Sequence, residues 1–144
     1  MDRSSDLQRF LDAQADAQAD AYDQALAELK RGRKTSHWMW FVFPQIAGLG
    51  HSAMARFYAI ESLDEARAYL AHPVLGPRLI ACVQAVNALQ GRTAHAVFGS
   101  PDDMKFRSSL TLFAKAAPEE VVFAEALAKY FGGRLDEMTL ERLG

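Results

Sequence analysis

A single cysteine, Cys82, occurs among the 144 residues, so no disulfide can form within the chain. A reactive thiol needs an exposed, electropositive setting, whereas Cys82 lies in the apolar run Leu-Ile-Ala-Cys-Val at 79–83. The thiol is therefore predicted to be buried and unreactive. A chain of this length buries about two-thirds of its unfolded surface, so it needs neither a disulfide nor a structural metal to fold.

Long hydrophobic runs and a large excess of charge are also lacking. The most apolar stretch, residues 38–43, stops at Pro44, far short of the roughly 20 residues that cross a bilayer. The first residues are polar and acidic, which fits neither a signal peptide nor a transit peptide, so a cytoplasmic protein with no membrane partner is predicted. The formal net charge of -2 gives no strong nucleic-acid signal.

Motifs that carry known chemistry are missing as well. The histidines at 37, 51, 72 and 95 form no His-x-x-x-His or His-x-x-Cys pair, so no metal site is predicted. There is no Gly-x-Ser-x-Gly elbow, which argues against acyl transfer. Asp103 beside a cation would suit glycosidic cleavage, but a sequence does not define the carboxylate separation that this reaction needs. No catalytic residue and no cofactor are assigned.

Apolar residues recur at three- and four-residue steps along most of the chain, which is the spacing of one helical face. Ser62 and Glu65 add a capping box, a signal that starts a helix. The pattern predicts one all-α domain over residues 1–144, with six to eight helices and no substantial sheet. The residues predicted to be buried together are Leu79, Cys82, Val86, Leu110 and Phe113.

The first thirty residues are predicted to be helical, with a tandem Ala-Gln-Ala-Asp at 13–16 and 17–20 that lengthens or breaks the helix. Gly32 ends this helix, and the basic side chains beside it complement the negative end of the helix dipole. Alternatively, these side chains form a phosphate-contacting corner, because the aromatic run begins a few residues later. They are Lys30, Arg31, Arg33 and Lys34.

Two clusters near the middle of the chain are candidates for a ligand site. The first is an aromatic block, residues 38–43, most of which is expected to be core. A short segment cannot bury every aromatic on one side, so Trp40, or else Trp38, is predicted to line a pocket where a base or sugar stacks. The second is the loop Gly-Leu-Gly-His-Ser at 48–52, whose N–H groups precede a helix and can bind an anion. An ordinary glycine-rich turn is the alternative.

A third cluster lies on the helix predicted at 101–116. Lys105, Ser108 and Ser109 share one face of it, so a cation and two hydroxyls can converge on a phosphate or ribose. A solvated face is the alternative.

The run His-Trp-Met-Trp-Phe-Val-Phe-Pro-Gln at 37–45, followed by Gly-Leu-Gly at 48–50, resembles a bacterial and fungal family of unknown function that is often labelled calpastatin. The likeness continues at 72–76, 98–99 and 103–113, and so covers nearly the whole chain. It implies an all-helical fold. The label does not fit, because calpastatin inhibitory segments are disordered repeats that fold on a protease, and this composition is globular.

Residues 102–131 also resemble, more loosely, a superfamily linked to ADP-ribose and NAD metabolism. With the three clusters, this favours a nucleotide-like or other phosphorylated ligand between residues 37–52 and the helix at 101–116, with its turnover left open. The residues predicted to contact the ligand are Trp38, Trp40, Gln45, His51, Ser52, Lys105, Ser108 and Ser109. The alternative is a protein-interaction module that anchors partners with exposed aromatic residues. The oligomeric state is not indicated.

Overall fold

The computed structural model describes residues 7–15 and 21–144, and these residues contain ten helices and no strand. The all-α prediction is confirmed, with more helices than the six to eight expected, because short segments of four or five residues such as α3 and α4 are helical too. The helices are α1 (Gln8–Gln14), α2 (Ala21–Arg31), α3 (Met39–Val42), α4 (Ala53–Phe57), α5 (Leu63–Ala71), α6 (Leu75–Asn87), α7 (Ala94–Phe98), α8 (Asp102–Ala116), α9 (Val122–Phe131) and α10 (Glu137–Leu143).

The predicted N-terminal helix is only partly covered by the description. α1 ends at Gln14 and α2 begins at Ala21, while most of the Ala-Gln-Ala-Asp duplication falls in residues 16–20, outside the described residues. α2 ends at Arg31, and Gly32 follows it with a φ of +83°, a conformation that suits glycine. The structure therefore confirms the predicted end of this helix at Gly32.

The capping signal at the start of α5 is also found in the structure. Ser62 Oγ accepts a hydrogen bond from the Glu65 amide at 3.1 Å. The Glu65 carboxylate accepts in return from the amide of Glu61, one residue before the position that a capping box uses. Each bond satisfies a backbone N–H group near the start of the helix that would otherwise lack a partner.

One contiguous apolar core joins the long helices, with α8 packed against α5, α7, α9 and α10. The five residues predicted to be buried together are each at most 2% exposed and belong to this core, which confirms the prediction. α5 and α6 approach closely at Gly76, where a Cβ atom would lie 2.0 Å from the backbone oxygen of Leu70. Only glycine fits at this crossing.

Among the described residues, no helix has both the length and the apolar character needed to cross a bilayer. The extended segments on either side of α4 are joined by an isolated parallel β-bridge between Ile46 and Ile60. Its hydrogen bonds run from the Ala47 amide to the Ile60 oxygen and from the Ile60 amide to the Gln45 oxygen, both at 2.8 Å. The bridge holds the glycine-rich loop in place on the surface.

Candidate functional site

A cleft of about 570 Å³ opens between the segment 40–55, the start of α8 and the start of α10. We call it the Trp40 cleft. Six of the eight residues predicted to contact a ligand line it together. Its full lining is Trp40, Gln45, Leu49, Gly50, His51, Ser52, Ala55, Pro101, Met104, Lys105, Ser108, Asp136 and Met138.

Arg107 on α8 positions the wall of the Trp40 cleft that the start of α10 provides. Its guanidinium donates to the carbonyl oxygen of Arg134 at 2.9 Å and to that of Leu135 at 2.7 Å. These two bonds hold the segment before α10 against α8. Asp136 and Met138 thereby reach a cleft whose other walls lie far earlier in the chain.

Lys105 and Trp40 are in direct contact inside the cleft. The Lys105 ammonium lies over the Trp40 ring, 5.2 Å from its centroid, which is within the range of a cation–π interaction. The same ammonium lies 3.5 Å from Asp102 Oδ1, one turn back along α8. The other carboxylate oxygen of Asp102 pairs with Lys34 at 2.9 Å. One carboxylate therefore links the cleft lysine to the basic segment after α2.

Ser108 and Asp136 form a polar pair on another part of the wall. The Ser108 hydroxyl lies 3.1 Å from Asp136 Oδ2 and 3.1 Å from the Met104 carbonyl oxygen, so it donates to one of them at a time. Asp136 Oδ2 also accepts from the amide and the hydroxyl of Thr139, and so caps α10. The Asp136 carboxylate is thus fixed in position as it faces the cleft.

The glycine-rich loop has structural reasons for its composition. Gly48 has a φ of +97°, and its carbonyl oxygen accepts a hydrogen bond from Arg142 at 3.3 Å. At Gly50 a Cβ would lie 2.6 Å from that of Ala55. Ser52 caps the five-residue helix α4 by accepting from the Ala55 amide at 3.1 Å. These contacts favour the alternative reading of this loop as a tight turn.

Two of the predicted ligand residues do not reach the cleft, and their placement corrects the sequence interpretation. Trp38 is 1% exposed because its indole N–H is bonded to Glu28 in the core. Ser109 is also 1% exposed, on a face of α8 that packs against neighbouring helices. The face that Lys105 and Ser109 share therefore runs from the cleft into the interior.

The basic residues around Gly32 do not form part of the cleft lining either. Lys34 is instead held between Asp102 and the Trp38 ring, whose centroid lies 5.2 Å from its ammonium. Its contribution to the site is indirect, through the carboxylate that it shares with Lys105. No feature of local spacing indicates that arrangement.

Sequence reasoning also missed residues that do line the cleft, chiefly Asp136, Met104 and Met138. Asp136 caps the start of α10, a role that its position before an amphipathic segment can indicate. The capping role depends only on neighbouring residues, whereas the position of Asp136 in the cleft depends on the bonds that Arg107 makes to the segment before α10. The two methionines are 46% and 57% exposed and give the rim an apolar, polarisable surface.

A second cavity, of about 600 Å³, lies between α5, α6 and the turn before α9. Its arginine, Arg67, is already bonded to the Ala116 carbonyl oxygen at 3.1 Å and paired with Asp64. The described residues that line this cavity include no aromatic side chain and none of the predicted ligand residues. The Trp40 cleft is therefore the stronger candidate site.

Comparison with known proteins gives a family and a solved structure. The family described as "Protein of unknown function (DUF1810)" matches residues 4–143. The crystal structure of the conserved hypothetical protein Rv1873 from Mycobacterium tuberculosis is 51% identical, with a TM-score of 0.91 and 96% of each chain covered. No curated protein matches. Neither description mentions calpastatin, so nothing in these matches supports that label.

Proposed function

The chain belongs to the family described as protein of unknown function (DUF1810), and from that premise we propose that it binds a nucleotide-like or other phosphorylated small molecule in the Trp40 cleft. The observation that carries the proposal is the gathering of Trp40, Lys105 and Ser108 in one cleft. Trp40 lies far before Lys105 and Ser108 in the chain, and the three side chains offer a ring face, a cation and a hydroxyl respectively.

The size and lining of the cleft suit such a ligand. Pockets for small molecules usually measure about 300–1,000 Å³ and combine apolar surface with a few polar groups. Trp40, Met104 and Met138 supply apolar and aromatic surface. Lys105 supplies a cation for an anionic group, and the Ser108–Asp136 pair supplies hydrogen-bonding groups for hydroxyls.

The alternative, a protein-interaction module, depended on exposed aromatic anchors. In the aromatic block, Trp38, Phe41 and Phe43 are at most 8% exposed, and only Trp40 is partly accessible. Within the described ranges, the one strongly exposed aromatic is Phe57, outside the block. The aromatic block therefore lacks the exposed anchors that a protein-interaction module requires.

A thermal-shift screen against nucleotides, NAD, ADP-ribose and sugar phosphates tests the proposal. A ligand at 100 times its dissociation constant should stabilise the native state by about 2.7 kcal/mol. Lys105→Ala should leave the melting temperature of the free protein nearly unchanged and abolish the ligand shift. Lys115→Ala is the matched control, because Lys115 is an exposed lysine on the same helix.

Trp40→Phe gives the second test, since it keeps an aromatic side chain and removes the indole. We expect a reduced ligand shift if the indole stacks on the ligand. A shift of full size in both Trp40→Phe and Lys105→Ala would place binding outside the Trp40 cleft, and no shift with any compound would favour the interaction module.

A further inference from the structure

Lys105 and Trp40, the two residues most important to the proposed nucleotide site, contact each other in the Trp40 cleft. We infer that Lys105 determines specificity by covering the Trp40 ring until a phosphate draws its ammonium away, so that the cleft prefers phosphorylated ligands over their unphosphorylated counterparts. This inference rests on the proposed function, because it concerns the same site and assigns the way in which that site selects its ligand.

Lys105 covers the Trp40 ring sterically. Both residues line the cleft, and the Lys105 ammonium lies over the ring at 5.2 Å from the centroid. A base that stacks on Trp40 needs the ring face that the ammonium covers. A planar ligand must therefore displace Lys105 before it can stack. An unphosphorylated ligand offers the displaced ammonium no charged partner in return.

Lys105 is held only weakly where it lies. Its only ion-pair partner among the described residues is Asp102, at 3.5 Å, a long contact on a side chain that is 28% exposed. Pairs of this kind are weak, and lysine has a long, flexible stem. A phosphate can offer the same ammonium a shorter, charge-assisted hydrogen bond. The ammonium is therefore free to move to an anionic ligand.

Asp102 does not depend on Lys105 for a counter-ion. Asp102 keeps a closer partner, because Lys34 lies 2.9 Å from its other oxygen and has a side chain only 9% exposed. Departure of Lys105 therefore does not leave the carboxylate without a counter-ion. Lys34 itself stays over the Trp38 ring, away from the cleft. The pair formed by Lys34 and Asp102 is a fixed anchor beside a movable lysine.

Acrylamide quenching of tryptophan fluorescence tests the covering of Trp40 without any ligand. Trp38 is 1% exposed, so quenchable emission belongs to Trp40, and Trp40→Phe identifies that part of the signal. Lys105→Ala should fold, because its contacts are weak, and should increase the quenching of Trp40. Lys115→Ala should quench like the wild type. Equal quenching in Lys105→Ala and the wild type would overturn the inference.

Calorimetric titration with adenosine and AMP tests selectivity, because these probes differ only in the phosphate. The wild type should bind AMP more tightly. In Lys105→Ala, AMP should bind about tenfold or more weakly, since a charge-assisted hydrogen bond is lost. Adenosine should bind about two- to fivefold more tightly, since no cation–π contact has to be broken. Weakening of both probes by the same factor would overturn the inference.

The two proposals fail in different ways. If neither adenosine nor AMP binds the wild type, and the wider screen is also negative, the proposed nucleotide site is wrong, while the quenching experiment still decides whether Lys105 covers Trp40. If both probes bind the wild type equally and Lys105→Ala changes neither affinity, the cleft binds nucleosides and Lys105 is not its specificity determinant.

Discussion

Trp38 donates its indole N–H to Glu28 Oε1 across 2.9 Å, in a part of the core where both residues are 1% exposed. The same carboxylate accepts from the Thr35 amide at 2.7 Å and from the amide and hydroxyl of Ser36. A buried carboxylate is tolerated only when it is bonded in this way. The network closes the turn between α2 and α3, and so sets the position of Trp40 two residues later.

Stability should depend on pH through Glu28. Burial alone would raise the pKa of Glu28, but the hydrogen bonds from Ser36, Thr35 and Trp38 lower it from 4.5 to about 2. The folded-state pKa is the lower one, so the stabilisation is present above pH 4.5 and is lost as the pH falls toward 2. At neutral pH it amounts to about 3 kcal/mol.

The measurement is urea unfolding of the wild type and Glu28→Gln at pH 7 and pH 3. The difference between their free energies of unfolding should shrink by about 2 kcal/mol at the lower pH. Glu125→Gln, at an exposed position on α9, is the control and should differ from the wild type equally at both pH values. A difference of the same size at both pH values for Glu28→Gln would contradict the prediction.

Gly76→Ala should destabilise the crossing of α5 and α6. The added Cβ would lie 2.0 Å from the Leu70 carbonyl oxygen, which is backbone and cannot turn aside. We expect a loss of about 1–3 kcal/mol, as for other overpacked sites, measured by denaturant unfolding. Gln84→Ala, at an exposed position of α6, should change stability by less than about 0.5 kcal/mol. Equal effects of the two changes would show that the helices can separate at no cost.

Phe113→Ala should remove a central contact of the core. The ring is fully buried and lies 5.7 Å from the Phe123 ring and 5.4 Å from the Tyr69 ring, centroid to centroid. The loss of transfer free energy and the cavity left behind should cost about 3–5 kcal/mol. Thermal and urea unfolding measure it, with Lys115→Ala on the same helix as the near-neutral comparison. A cost below about 1 kcal/mol would mean that α8 is not packed as described.

Cys82 should react slowly with a thiol reagent in the native protein and rapidly in denaturant. The residue is fully buried, and burial raises the pKa of its thiol from 9.0 to about 12. Burial keeps the reagent away from the sulfur, and the raised pKa keeps the thiol protonated, whereas the thiolate is the nucleophilic form. The release of chromophore from a disulfide reagent gives the rates. Similar rates in the two conditions would show that the thiol is accessible, and Cys82→Ala gives the background.

Periodicity was sufficient for the helical class and for much of the core, because side chains three and four residues apart share a face whatever that face later packs against. It placed Leu79, Cys82 and Phe113 in the interior, and the crowding of aromatic residues at 38–43 correctly indicated that most of them are buried. These are properties of one segment at a time, and local chemistry determines them.

Local sequence could not decide which of the two indoles, Trp38 or Trp40, lines the cleft. Both are indoles in one short segment, and only the position of Glu28 on a different helix makes Trp38 the core residue and leaves Trp40 to the cleft. Likewise, Asp136 reaches the cleft through the bonds of Arg107. Lys105 lies over Trp40 where the start of α8 meets the segment after α3, at the ring contact between Phe106 and Phe43. Such contacts join residues far apart in the chain, and the packing of whole helices, not the spacing within any one of them, brings them together.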